Sequence, residues 1–131
     1  HHRRGLEILS GFVEVKSQEF TFFVPLMSKK RPRIVFGKKA YMPKEYMAWR
    51  KNLAALMKEQ WTEEPLEKVL DIQFGFVGPA RSDADNLIGA VFDTGNGIIW
   101  KDDRVKILPK GSWTWKKAKQ KDSFIHLKVF Y

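Results

Sequence analysis

Asp83-Ala84-Asp85-Asn86-Leu87, followed after a short apolar stretch by Trp100-Lys101-Asp102-Asp103, places four carboxylates within a chain whose formal net charge is +9. Oxygen ligands of this kind suit a hard divalent cation, magnesium or manganese, and the many Lys and Arg residues around them suit a polyanion. Acids that hold a cation beside bases that hold a phosphate chain are what a metal-dependent nuclease needs. The same residues also admit structural readings. Asp and Asn are ordinary helix-capping and turn residues, and Asp102-Asp103 reads equally as a solvated turn. An EF-hand-type calcium loop is not supported, because Leu87 stands where the next oxygen ligand belongs and the turn glycine and terminal Glu are missing.

Composition narrows the alternatives. The 131 residues, 44% hydrophobic and 30% charged, suit one globular domain with a real core. Cysteine is absent, so disulfides and Cys-based zinc sites are excluded, and three His, two of them at the N-terminus, make no convincing zinc site. A reducing cytoplasm is the expected compartment. No apolar run approaches the ~20 residues of a membrane span, and the N-terminus lacks the order of a signal peptide. Residues 1–11 are read as an N-terminal extension or tag remnant, and 12–131 as the functional domain. Nothing suggests a small-molecule cofactor, and Ser112 and Thr114 lack the His and Asp partners of a nucleophilic triad.

The acids need elements to position them. Phe12 to Val15 and Glu19 to Leu26 read as two strands, the second with Phe20, Phe22 and Val24 on one face and Pro25 near its end. Ser28 to Lys39 is a basic loop or hairpin carrying Lys29, Lys30, Arg31, Arg33, Lys38 and Lys39, which can grip phosphates or serve as a solvated edge. Pro43 suits the start of a helix to about Gln60, with Tyr46, Trp49, Leu53, Leu56, Met57 and Gln60 or Trp61 near the helical period. A strand from about Val69 to Val77 alternates Leu70, Ile72, Phe74 and Phe76 with Asp71, Gln73 and Gly75. The acidic motif therefore falls at a strand-to-helix junction, with a helix from near Asp85 to near Gly95. In extended chain, residues i and i+2 point the same way, so Asp83 and Asp85 can face one ion, and helix-entry amides favour negative charge there.

Ile98 to about Leu108 reads as another strand and Ser123 to Tyr131 as the last, with Ile125, Leu127 and Val129 on one face. Between them, Gly111 to Lys121 is read as a connection that interleaves Trp113 and Trp115 with Lys116, Lys117 and Lys119; the tryptophans serve packing or base stacking. Arg81, just before the acids, is a further phosphate-binding candidate. His126 is read as structural. The sum is an α+β fold: one compact domain with a mixed sheet of about four to six strands and two main helices.

The order of strand, D-A-D-N-L, helix with V-F-D, turn and I-I-W-K-D-D resembles the RusA-type Holliday junction resolvases, from about Phe20 to Tyr131. Their pattern is D-x-D-N-L-x-K, then a helical acid, then a hydrophobic run ending in D-D. The resemblance implies a homodimeric endodeoxyribonuclease that cuts four-way DNA junctions in recombination and repair, with Mg²⁺ as cofactor and Mn²⁺ as a possible substitute. It implies that Asp83 and Asp85 are the first two catalytic carboxylates and metal ligands, and that Asp93 is a structural acid. The third ligand is Asp103 on direct alignment, or Asp102 if Val105 is aligned; adjacent strand residues face opposite ways, so one of the pair joins the metal, and Asp103 is favoured. One position departs: the family's motif lysine, four residues after the second Asp, is Gly89. Lys101, Lys106 and Lys39 are candidates to replace its charge. A DNA-binding protein of the same fold without cleavage is the competing reading, and an RNA-binding module is a third, against which the clustered acids count.

Overall fold

The computed structural model describes residues 2–8, 11–32, 34, 37 and 40–131. A five-stranded sheet carries two α-helices, in the chain order β1 (His2–Ile8), β2 (Gly11–Phe22), α1 (Lys44–Gln60), β3 (Asp71–Gly78), α2 (Ala84–Gly95), β4 (Gly111–Lys117) and β5 (Phe124–Phe130), with a 3₁₀ turn at Gln120–Asp122. Across the sheet the order is β1-β2-β5-β3-β4. β5 runs antiparallel to both neighbours, whereas β3 and β4 are parallel. Parallel neighbours require a crossover, and α2 lies within that connection. The mixed α+β architecture is therefore the one the sequence implies.

Alternation builds the central strands. Ile72, Phe74 and Phe76 of β3 and Ile125, Leu127 and Val129 of β5 are buried on the face that the helices cover. Tyr46, Trp49, Leu53 and Met57 form the buried stripe of α1 at spacings of three and four. Each such side chain stabilises the fold by roughly 1.5–3 kcal/mol relative to exposure. Pro43 occupies the N-cap of α1, as its fixed φ allows.

Three expectations are corrected. The two early strands are one continuous strand, β2, because Ser17 pairs with His2 on one side and Phe130 on the other, so the ladder runs on where the apolar pattern breaks. Ile98 to Leu108 is not a strand. Ile99 and Trp100 are fully buried, yet they reach the core through a turn after α2 and isolated bridges from Trp100 to Leu66 and Asn96. Gly111–Lys117, read as a connection, is edge strand β4, paired to β3 from Ile72↔Gly111 to Gly78↔Lys117.

The end of α2 depends on one close approach. A β-carbon at Gly95 would lie 2.7 Å from Trp100 Cε2 and 2.9 Å from Cη2, so only glycine admits the indole. The buried Trp100 Nε1 donates to Phe92 O at 3.2 Å and Asn96 Oδ1 at 3.0 Å. This joint fixes where the chain leaves α2 on its way to Asp102 and Asp103.

The helices are tied by Asp93, in keeping with a structural role. Tyr46 Oη donates to Asp93 Oδ2 at 2.9 Å, and Arg50 Nη1 lies 3.3 Å from the same oxygen. Burial, then the bond to Asp93, holds the Tyr46 hydroxyl protonated well above the ordinary phenol range. Tyr46→Phe is expected to lose about 1–2 kcal/mol at neutral pH. Because the folded pKa is raised, this contribution is complete below about pH 10, the unfolded value, and declines as pH rises above it. Urea denaturation of both proteins at neutral and alkaline pH checks this: the gap must narrow as pH increases.

Candidate functional site

α2 begins where β3 ends. Asp83 is its N-cap, with extended backbone (φ −76°, ψ 145°), and its carbonyl accepts from Leu87 N–H at 3.0 Å. Its side chain makes no capping hydrogen bond. Among the described residues neither the Asp83 nor the Asp85 carboxylate has a hydrogen-bond or ion-pair partner, and both residues are exposed. The capping explanation therefore does not account for the Asp83 carboxylate. Asp85 lies in the first turn, where the helix amides and macrodipole favour a negative charge. The helix entry thus carries two uncommitted carboxylates in solvent.

Asp102 and Asp103 occupy the far end of the same helix. Trp100, bridged to Asn96 at the C-cap, precedes them by two and three residues. α2, 12 residues and about 18 Å long, runs from the Asp83 N-cap to the C-cap that Trp100 bridges. Accordingly, no three His, Asp or Glu among the described residues come together as a group able to hold a metal ion.

The two aspartates of this second pair differ in what they touch. Asp102 Oδ1 accepts Arg104 N–H at 2.9 Å and Oδ2 accepts Arg104 Nε–H at 3.0 Å, so its carboxylate organises the turn. Asp103 is exposed and has no partner among the described residues. Because neither lies in a strand, hydrogen bonding, and not alternation of faces, distinguishes them. Lys101 pairs with Glu67 at 3.7 Å, and both line a cleft with Asp102, Arg104, Lys106 and Ile107, away from the helix entry.

Cations frame the entry from two sides. Lys29, Lys30 and Arg31 are exposed on the segment after β2. That segment is strapped down where Trp49 Nε1 donates to Pro25 O at 2.7 Å and Lys29 N–H donates to Asn86 O at 2.9 Å. Arg33, Lys38 and Lys39 lie outside the described residues. On the other side are exposed Arg81, Lys116, Lys117 and Lys119. Arg81, Lys117 and Lys119 line one shallow groove with Pro79, Ala80, Ala118 and Gln120. Beside it, Trp113 and Trp115, 50% and 40% exposed, border a cleft of about 210 Å³ with Pro79, Ala80, Ser82, Ala84 and Leu87. Those indoles are not core residues. The fully exposed pattern of β4 gave no burial signal by which the sequence could place them there.

His126 lies 4.0 Å from Glu19 on the sheet and takes no part in this surface. Among the described residues no helix is long and apolar enough to cross a membrane.

The family model described as Endodeoxyribonuclease RusA matches residues 24–119, from the end of the strap's parent strand through the acidic helix entry to the lysines after β4. A search of curated proteins finds no match.

Proposed function

The chain belongs to the RusA endodeoxyribonuclease family, and from that premise we propose that it resolves four-way DNA junctions by divalent-metal-dependent hydrolysis in recombination and repair. The observation that carries this reading is the pair of uncommitted carboxylates, Asp83 and Asp85, at a helix N-terminus flanked by exposed Lys and Arg. Acids without structural partners, surrounded by phosphate-binding cations, have chemistry to do rather than a fold to hold.

The donor set fits a hard cation: carboxylate oxygens, solvent-exposed and not engaged by neighbouring cations. Asp83, Asp85 and Asp103 would hold Mg²⁺, with Mn²⁺ able to replace it, while Asp102 remains the outer candidate because Arg104 already occupies it. When bound, the metal supplies a more acidic water and neutralises charge on the phosphate. The protein's own part is positional. Asp83 and Asp85 hold their charges at the mouth of α2, and Lys29, Lys30, Arg31, Arg81, Lys116, Lys117 and Lys119 hold the junction arms by their phosphates. In the reaction one water adds to phosphorus, the bond from phosphorus to the leaving oxygen breaks, and a proton ends on that oxygen.

A homodimer serves this chemistry in two ways. Two copies address the two opposed strands of a junction. The separation of the acid pairs along α2 adds a second reason, since a partner copy can bring its Asp103 to the helix entry that this chain's own Asp103 does not approach. Acting on DNA, the protein would work in the cytoplasm. Gly89 favours the competing reading, junction binding without cleavage.

The test is cleavage of an end-labelled four-way junction with Mg²⁺, Mn²⁺ or chelator, beside a linear duplex of matched sequence. Paired nicks confined to the junction, present with either metal and abolished by chelator, are expected. Tight junction binding with no cleavage in either metal would leave only the DNA-binding reading.

A further inference from the structure

Gly89 is one helical turn beyond Asp85, so the two share a face of α2. That face is occupied at Gly89 by a side chain from another element. A β-carbon at Gly89 would lie 3.4 Å from Lys29 Cδ and 3.7 Å from Lys29 Cβ, so the aliphatic stem of Lys29 passes over the glycine with room left for little more than a methyl group. The backbone is pinned at the same place, because Lys29 N–H donates to Asn86 O at 2.9 Å, on the residue next to Asp85. Lys29 is nevertheless exposed, and its ammonium has no partner among the described residues. The stem of an unpaired lysine thus crosses the helix face that carries Asp85, over a position where a side chain longer than alanine's would meet it.

We propose that Lys29 supplies, from another element of the same chain, the positive charge that position 89 lacks, stabilising the negative charge that builds on the phosphate as it is cleaved at the helix entry. The strap lysine and the missing side chain are then two halves of one exchange. A lysine that only grips phosphate would need neither the pinned backbone nor the passage over Gly89, since exposed lysines such as those of β4 suffice for that. The proposal rests on the nuclease reading and refines it.

Lys29→Met separates the possibilities, because the Met side chain preserves the stem over Gly89 while removing the charge. Single-turnover cleavage of saturating junction with Mg²⁺ is expected to fall about 100-fold, the usual scale for one lost electrostatic contact to the reacting group. Lys29 is one of seven cations assigned to the junction arms, so junction affinity in chelator should fall only several-fold, far less than the rate, and the melting temperature should match that of the unmodified protein. Adding Gly89→Lys to Lys29→Met should recover most of the rate, since the far end of a flexible Met side chain can yield the small space required. The opposite split, weakened binding with an unchanged rate at saturation, would overturn the proposal and leave the nuclease reading intact. Loss of rate without recovery in the folded double variant would also overturn it. Absence of cleavage by the unmodified protein would remove the nuclease reading itself, and this role for Lys29 with it.

Discussion

Asp85→Asn is expected to reduce metal-dependent junction cleavage by roughly 100- to 1,000-fold, the loss that follows removal of a directly acting charged group, while junction binding in chelator stays level or tightens. The sign of the binding effect follows from charge. An exposed carboxylate beside the phosphates repels them, and Asn does not. Stability should barely move. Asp85 lies in the first turn of α2, where its favourable interaction with the helix N-terminus is worth about 0.3–1 kcal/mol, and it has no other partner among the described residues. Asp83→Asn should behave alike in cleavage and be still milder in stability, because Asn is as good an N-cap as Asp and the Asp83 side chain makes no capping bond to lose. Single-turnover cleavage, gel-shift binding and thermal melting on both variants check the three expectations together. Equal losses of cleavage and folding would mean that these acids are structural after all. Cleavage retained by both would remove them from the site.

This contrast between function and stability was partly readable in the sequence. The alternation in β3 and β5 and the three-four spacing in α1 are local consequences of burial on one face, so Ile72, Phe74, Ile125, Leu127, Trp49 and Leu53 announced their elements. The junction of β3 with α2, and therefore the placement of Asp83 and Asp85 at a helix entry, followed from the same patterns. β4 was not readable, because it is held by backbone pairing to β3 while its side chains are all exposed, and periodicity reports burial, not pairing. The apolar run Ile98-Ile99-Trp100 misled for the converse reason. It is buried by plugging the end of α2 against Gly95, without a ladder. Nor could sequence spacing bring Lys29 to Gly89, a contact that depends on how the strap crosses both helices. The acids were legible as types and positions. Their division between the two ends of α2 was a property of the fold.

That division makes the remaining acids the sharper test. Asp103→Asn is expected to lose about 100-fold or more in cleavage, whereas Asp102→Asn should keep most of its activity. Asn at 102 can still accept the Arg104 N–H, and the ion pair it gives up has a partner that is 79% exposed, worth about 0–1 kcal/mol. A reversal of the two variants would transfer the ligand role to Asp102. Subunit mixing then asks which chain supplies Asp103. If each site joins the helix entry of one copy to Asp103 of its partner, an assembly of one Asp85→Asn copy with one Asp103→Asn copy has both lesions in one site and leaves the other wholly intact. If each site belongs to a single chain, every site in that assembly carries a lesion. Since α2 leads about 18 Å away from the Asp83 N-cap and no three acids come together among the described residues, the expected result is recovery of single-strand nicking on mixing two variants that are each inactive alone. No recovery from a verified mixed dimer would require the chain's own Asp103 to travel to the helix entry when DNA and metal bind.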